Sequence, residues 1–243
     1  MTMKLLAAAL LLILVSLGLW HTHKPLPAGL AYQGDVLPLE APELLTDTTL
    51  HFPDGRSELD HEIFDEIFRL IGQAETFILL DMFLFNSTGP EDKGLRPLAQ
   101  QTVDALVARK QSQPDIDIVV ITDPLNTFYG GTRSTLFEAL ENAGIQLVIT
   151  RLEPLRLAPL RDSNPAWSSL WRLCCQWLGN NPDGGWLPNA LGTEPATVRS
   201  YLALPNFKAN HRKVLVADEG DRFRAVITSA NPHDGSSRHS NTA

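Results

Sequence analysis

The chain has 243 residues, of which 44% are hydrophobic, and this is enough for one or two domains with a buried core. Its formal net charge of −8 and its pI of about 5.3 argue against a general nucleic-acid-binding protein. The charge is unevenly distributed, because residues 199–243 carry seven Lys or Arg against four Asp or Glu, whereas the rest of the chain carries −11. A basic region in an acidic protein favours a small or membrane-bound anionic substrate over a long polyanion.

The chain begins with an apolar run over residues 5–20, preceded by one cation, Lys4. This pattern predicts a signal peptide or a membrane anchor over residues 1–24, and a helix packed on the domain is the alternative. The small-residue sequence at 29–31 resembles a cleavage site but lies far beyond the apolar run, which favours an uncleaved anchor. Residues 25–56 contain five prolines and predict an extended lead-in.

From residue 57 onward, helical and extended patterns alternate. Ser57 and Asp60 predict the start of a helix that ends at Gly72. The order that follows, strand, helix, strand, helix, strand, is typical of an α/β sheet, and the first strand is expected to be central because both its faces are apolar. The predicted strands are 76–85, 116–122 and 145–150, and the predicted helices are 98–109 and 136–143.

Two polar features interrupt these apolar strands. Asp81 stands inside the first strand, where a buried carboxylate satisfied by its neighbours is the commoner interpretation and a group near a functional site is the alternative. Asp123 follows the second strand and opens a loop that contains Gly130-Gly131, at a strand end where open α/β sheets bind ligands. The glycine pair lacks the Lys-Ser/Thr of a P-loop, so it predicts a turn that borders a pocket.

Residues 151–205 form an irregular insertion with a tryptophan-rich helix predicted over 166–178. This helix either packs on the core or inserts its aromatic rings among lipid headgroups. Cys174 and Cys175 are adjacent, and adjacency is too cramped for an ordinary structural disulfide between them. No Cys or His spacing matches a zinc site, and His211, His233 and His239 have a spacing typical of no known metal site.

The most specific stretch lies near the end of the chain. His211 and Lys213 are two residues apart before a buried strand, so their side chains point the same way. A hairpin at 219–222 returns a second strand that ends near Ser229 and Asn231. The sequence thus predicts an imidazole, an ammonium, a hydroxyl and an amide at one end of a sheet, a set suited to a phosphodiester.

These residues resemble the signature of the phospholipase D superfamily, in which His-x-Lys is followed after four residues by Asp and then by Gly-Ser-x-Asn. His211, Lys213 and Asp218 match fully. Nine residues separate Asp218 from Thr228 where the family usually has six, and Thr228 replaces the glycine. The resemblance implies a mixed β-sheet flanked by helices over residues 57–243, forming a phospholipase D-like half-domain behind an N-terminal signal or anchor helix.

The same resemblance implies a phospholipid phosphodiesterase or phosphatidyltransferase, similar to cardiolipin synthases, that uses no metal or cofactor. His211 would attack phosphorus, Lys213 and Asn231 would bind the phosphoryl oxygens with help from Ser229, and Asp218 completes the catalytic motif, as a structural anchor rather than a reacting group. The protein would be exported or anchored at the periplasmic side of a bacterial inner membrane. The alternatives are a nucleic-acid phosphodiesterase of the same superfamily and a catalytically silent lipid-binding membrane protein.

The family's reaction uses two facing His-x-Lys motifs, whereas this sequence contains one. We therefore expect half an active site, to be completed by a C-terminal half or, less favoured, by a homodimer partner. The residues after Asn231 show no pattern of a helix or a complete strand.

Overall fold

The computed structural model describes residues 2–36, 38, 42–87, 95–157, 164–175, 177–189, 192, 194–238 and 241–242. The strands are β1 (Thr46–His51), β2 (Ser57–His61), β3 (Phe77–Met82), β4 (Asp117–Thr122), β5 (Gln146–Ile149), β6 (Lys213–Glu219), β7 (Arg222–Ile227) and β8 (Asn241–Thr242). The helices are α1 (Thr2–His23), α2 (Glu62–Gln73), α3 (Leu98–Ser112), α4 (Thr135–Asn142), α5 (Pro165–Cys174) and α6 (Val198–Ala203).

A five-stranded mixed sheet in the order β5-β4-β3-β6-β7 is the centre of the fold. β3, β4 and β5 are parallel to one another, β6 is antiparallel to β3, and β7 is antiparallel to β6. β3 is therefore the middle strand, as its two apolar faces predicted. The predicted fold class, an α/β fold with a mixed sheet and flanking helices behind an N-terminal apolar helix, is confirmed.

The core forms where amphipathic helices cover one face of the sheet. Ile78, Leu80 and Met82 alternate along β3 and are fully buried. They join a cluster with the apolar sides of α2, α3 and α4, in which Ile67 and Leu106 are also fully buried. Burying side chains of this size stabilises the fold by about 1.5–3 kcal/mol each, before the cost of ordering the chain.

The first helix of the domain begins later than predicted. Residues 57–61 form β2, which pairs with β1 across a turn where Gly55 has a φ of +84°. Ser57 and Asp60 therefore do not cap α2, and the predicted lead-in over 25–56 contains a strand. The N-terminal end of α2 is stabilised instead by Asp47 on β1, whose carboxylate accepts a hydrogen bond from the N–H of Ile63 at 3.2 Å.

The N-terminal helix α1 is long and apolar enough to cross a membrane, by length and composition. Most of its side chains are exposed, and it packs against α5 along a narrow stripe that includes Gly18 and His21. Ser168 and Ser169 on α5 are fully buried, and small residues at a helix contact allow the two backbones to approach closely. The helix thus combines an exposed apolar surface, as expected of a signal or anchor, with a contact to the domain, which was the alternative interpretation of this segment.

The tryptophan-rich helix is shorter than predicted, and its cysteines are bonded. α5 ends at Cys174, and Cys175 adopts a non-helical φ of −134°. A disulfide joins these adjacent residues across a Cα–Cα distance of 3.7 Å, so the expectation that adjacency excludes a mutual bond was wrong. Trp171 is buried, whereas Trp177, beyond the helix, is 71% exposed.

The last hairpin, formed by β6 and β7, completes the five-stranded sheet and precedes the C-terminal tail. β6 and β7 are joined by the two-residue turn Gly220-Asp221, with Glu219 paired to Arg222, so the predicted hairpin is confirmed. The long spacing between Asp218 and Thr228 is thus taken up by extended strands. The tail contains more structure than its pattern indicated, since a 3₁₀ turn at Asp234–Arg238 leads to β8, which pairs with β1.

Candidate active site

His211 and Lys213 meet at the start of β6. His211 is exposed, whereas Lys213 is only 8% exposed. The Lys213 Nζ lies 3.3 Å from Nε2 and 3.4 Å from Nδ1 of His211, so the ammonium is close to both ring nitrogens. The two side chains therefore lie on the same side of the extended chain, as their two-residue spacing predicts.

Phe83 lines this pair, and the sequence analysis did not single it out. Its ring centroid lies 4.7 Å from that of His211, and the Lys213 Nζ lies 5.3 Å from the Phe83 centroid. The ring shields the ammonium from water on one side and makes a cation–π contact with it. Its position in the sequence could have indicated this contact, because Phe83 directly follows β3, the strand that pairs with β6.

The surroundings favour a neutral imidazole. Partial loss of solvent around the ring, and then the charge of Lys213, lower the pKa of His211 below its ordinary value. Burial also lowers the pKa of Lys213. A neutral imidazole has a free lone pair on one nitrogen, which a nucleophile at phosphorus requires.

Asn231 reaches the same end of the sheet through the returning strand. The N–H of Thr228 donates to the carbonyl of Lys213 at 3.1 Å, which closes the hairpin next to the site. Asn231 is 7% exposed, and its Oδ1 accepts the N–H of Leu84 at 3.0 Å. This bond orients the carboxamide, so that its Nδ2 is the group suited to donate to a ligand oxygen. Ser229 lies exposed in the bend between them.

Asp218 is not brought to this site. It lies five residues further along β6 than Lys213, roughly 16 Å away at the rise of a β-strand. Its carboxylate accepts the backbone N–H groups of Glu75, Thr76 and Phe77 at 2.7–3.2 Å. Burial alone would raise the pKa of Asp218, but these N–H donors lower it. Asp218 therefore anchors the start of β3 at the opposite end of the sheet.

We expect Asp218→Ala to lower the free energy of unfolding by about 3 kcal/mol, because three backbone N–H groups lose a charged acceptor. Since the pKa of Asp218 is lowered in the fold, its contribution is present above the unfolded pKa of about 4 and is lost as pH falls through the folded value. Urea unfolding from about pH 7 to pH 2 measures this, and Asp218→Asn should lose less stability than wild type on acidification.

Asp221→Ala, an exposed change in the adjoining turn, is the matched control. Turnover per folded molecule should be unchanged in Asp218→Ala. A large loss of turnover without a loss of stability would contradict the anchoring role.

Asp81 holds the residues on both sides of His211. It is 4% exposed, and its carboxylate accepts from Asn210 Nδ2 at 2.8 Å and lies 3.4 Å from an Arg212 guanidinium nitrogen. The carbonyl of Arg212 also accepts the N–H of Phe83 at 2.9 Å. Asp81 is therefore a buried carboxylate with satisfied hydrogen bonds, and it also lies beside the candidate site. The two interpretations of this residue from the sequence both apply.

With His211 as the nucleophile that the sequence predicts, we expect Asp81→Ala to lower kcat about 10–100-fold with a smaller change in KM, since a loosened His211 would be misplaced at the reacting atom. Asp81→Asn keeps an oxygen acceptor for Asn210 and should lose less. The measurement is turnover of a soluble chromogenic phosphodiester, normalised to the folded fraction. Equal losses in both variants, in proportion to unfolding, would show that Asp81 only stabilises the fold.

The loop after β4 supports the site from the other side. Asp123 is fully buried, and its carboxylate accepts the N–H of Asn210 at 2.8 Å and that of Leu125 at 2.9 Å. Asn126 donates to the carbonyl of Phe83 and accepts the N–H of Phe85, both at 2.8 Å. The loop thus fixes the backbone on either side of Leu84 and next to His211.

The glycine pair of this loop packs away from the site. The N–H of Gly131 donates to the carbonyls of Thr127 and Phe128. A Cβ at Gly131 would lie 2.0 Å from Ser200 Oγ, so α6 packs directly against this glycine. The pair therefore forms a close contact with α6, and its amides do not form a phosphate cradle.

Within the described part of the chain, no group of three His, Cys, Asp or Glu side chains lies close enough to hold a metal ion. His233 is half-buried, with Nδ1 3.0 Å from the carbonyl of Asn86, and His239 lies outside the described residues.

No protein-family model matches this chain, and no curated protein matches it. Among solved structures, the chain is similar to a phospholipase D family member, Nuc from Salmonella typhimurium, with 16% sequence identity. The similarity covers 82% of this chain and 80% of that one, at a TM-score of 0.38.

Proposed function

We propose that this chain is a phosphodiesterase of the phospholipase D type that acts on phospholipids, by hydrolysis or by phosphatidyl transfer as in cardiolipin-synthase-like enzymes. The observation that carries the proposal is the pair formed by the exposed His211 imidazole and the buried Lys213 ammonium. This pair combines a nucleophile with a positive charge beside it. Both are needed to displace an alcohol from an anionic phosphodiester.

In the proposed first step, an imidazole nitrogen of His211 attacks phosphorus. The bond from phosphorus to one alcohol oxygen breaks, and that oxygen takes a proton from a second histidine. Lys213 and Asn231 stabilise the charge that increases on the other phosphoryl oxygens, with Ser229 assisting. In the second step, water or another alcohol attacks the phosphohistidine, the phosphorus–nitrogen bond breaks, and the attacking group returns its proton to the second histidine.

The second histidine is proposed to come from another His-x-Lys motif facing His211, because this sequence contains one such motif. A second copy of the chain or a further segment would supply it. The exposure of His211 at the sheet end supports this arrangement, since a facing motif needs access to the same phosphorus atom.

Incubation of the purified protein with phosphatidylglycerol vesicles and with plasmid DNA tests the proposed substrate class. We expect release of glycerol or formation of a transfer product from the lipid, with intact DNA, because the chain carries a net charge of −8. His211→Asn is the control for contaminating activity. Cleavage of DNA without lipid turnover would establish the nucleic-acid alternative, and inactivity of a folded protein on both would favour a silent lipid-binding protein.

We also propose that α1 anchors the protein at a bacterial inner membrane, with the domain on the periplasmic side. Its apolar length and exposed side chains support this location.

Deletion of residues 1–24 is expected to move a reporter fusion from the membrane fraction to the soluble fraction, because the apolar surface that holds it in lipid is removed. Deletion of residues 25–36 is the control and should leave the fusion in the membrane. Fractionation followed by immunoblotting measures both. A full-length fusion with an uncut N-terminus in the soluble fraction would contradict the anchor.

A further inference from the structure

Basic side chains that are not assigned to catalysis converge at the C-terminal end of α1. The carbonyl oxygen of Glu153 accepts hydrogen bonds from Lys24 Nζ at 3.0 Å, Lys208 Nζ at 3.2 Å and an Arg172 guanidinium nitrogen at 2.5 Å. His21 lies in the last turn of α1, three residues before Lys24, which directly follows the helix. We call His21, Lys24, Arg172 and Lys208 the basic cluster.

The basic cluster is partly buried and carries more charge than its protein partners neutralise. Lys208 is 4% exposed, and its ammonium donates to the carbonyls of Leu152, Glu153 and Leu155. Backbone carbonyls carry only partial charges. Burial and then the charges of Arg172 and Lys24 lower the pKa of Lys208 to about 7, whereas Glu153 acts in the opposite direction. Cations that depress one another's pKa favour a bound anion.

His21 adds a buried polar atom without a partner. Its side chain is 7% exposed, and Nδ1 has no hydrogen-bond partner within the described part of the chain. Burial and then the charges of Arg172, Lys24 and Lys208 lower the pKa of His21 to about 4. A neutral imidazole can donate one hydrogen bond, and an unsatisfied buried nitrogen costs about 1–3 kcal/mol unless a ligand or water satisfies it.

The position of the basic cluster favours a ligand presented at a membrane surface. If α1 spans a bilayer, its C-terminal end lies among the headgroups, where anionic lipids attract Lys and Arg. Trp20, near the end of α1, and Trp177, five residues after Arg172, are 57% and 71% exposed, and tryptophan is enriched at the membrane interface. Arg156, whose guanidinium donates to the carbonyl of Lys24 at 2.8 Å, adds a further exposed cation.

We propose that the basic cluster binds a phosphate anion, presented by a lipid headgroup beside α1 or free in solution. Lys24 and Arg172 are the charged donors, His21 is the neutral donor, and Lys208 holds the loop that places them, because its three bonds go to backbone carbonyls. This site uses none of the residues assigned to catalysis and does not depend on the catalytic role proposed for His211.

The test uses the full chain in a non-ionic detergent. Thermal unfolding and native mass spectrometry are recorded with mixed micelles of phosphatidylglycerol or of phosphatidylcholine, and with inorganic phosphate against chloride of equal ionic strength. We expect phosphatidylglycerol or phosphate to raise Tm and to be retained by the wild-type chain, whereas phosphatidylcholine and chloride have no such effect. A response to the lipid alone identifies a headgroup site, and a response to inorganic phosphate identifies a site for the free anion.

The double variant Lys24→Gln/Arg172→Gln should weaken the response at least tenfold. The control Arg56→Gln/Arg133→Gln, which removes two exposed cations paired with Asp54 and Asp183, should respond like wild type. Lys213→Gln removes the phosphate contact proposed at the catalytic site, so a response that persists in this variant belongs to the basic cluster.

His21→Phe removes the unpartnered nitrogen without changing the charge of the cations, and it should weaken binding about tenfold even if the double variant fails to fold. Equal responses of wild type and His21→Phe, or no preference for phosphatidylglycerol and phosphate over phosphatidylcholine and chloride, would overturn the proposal.

Discussion

His211→Asn is expected to lower turnover on the order of 10⁴-fold or more, because the variant lacks the proposed nucleophile and cannot form the proposed covalent intermediate. His211 is exposed at a sheet end, so the substitution removes little packing. The free energy of unfolding should therefore stay within about 0.5 kcal/mol of wild type. Kinetics with phosphatidylglycerol and urea unfolding of the same preparation measure the two quantities.

His51→Asn is the matched control, since His51 is an exposed histidine on β1, outside the five-stranded sheet. It should retain wild-type turnover. Wild-type activity in His211→Asn would contradict the assignment of His211 as the nucleophile, whatever the substrate.

Lys213→Gln is expected to lower kcat by about 10²–10³-fold, because the ammonium stabilises charge that increases in the transition state. The variant should also change the pH profile. Burial and then the Lys213 charge lower the pKa of His211, so removing that charge raises it. Since the proposed reaction needs a neutral His211, the ascending limb of kcat/KM should move to higher pH.

Lys213→Arg keeps the charge and should preserve the position of that limb even if its geometry lowers the rate. Arg222→Gln, on the edge strand β7, is the control for a general change in surface charge. A Lys213→Gln variant with reduced kcat and an unmoved ascending limb would contradict electrostatic coupling between Lys213 and His211.

The α/β order of the fold could be predicted because its strands are short apolar runs and its helices have one apolar face. The segments predicted over 98–109, 116–122, 136–143 and 145–150 each correspond to an observed element with small changes at the ends. The β1 strand was missed because Thr-Asp-Thr-Thr-Leu-His lacks a clear alternation of polar and apolar residues. The pairing of β6 with β3 is a long-range contact that local patterns do not contain.

Only those parts of the site whose residues are close together in the sequence could be predicted. The two-residue spacing of His211 and Lys213 determines that they share a side, and the hairpin returns Asn231. The predicted strand over 76–85 ends at Met82, because the N–H groups of Leu84 and Phe85 bond to Asn231 and Asn126 rather than to another strand. These partners lie far away in sequence, so the support of the site became visible only in the folded chain.

Trapping of a phosphohistidine tests the central proposal most directly. The protein is mixed with a soluble phosphodiester, quenched at alkaline pH, digested and analysed by mass spectrometry. We predict a phosphoryl adduct on the peptide containing His211 that disappears in His211→Asn and persists in His51→Asn. Turnover of the phosphodiester by folded protein with no adduct on His211, or with an adduct on another residue, would contradict the proposed mechanism.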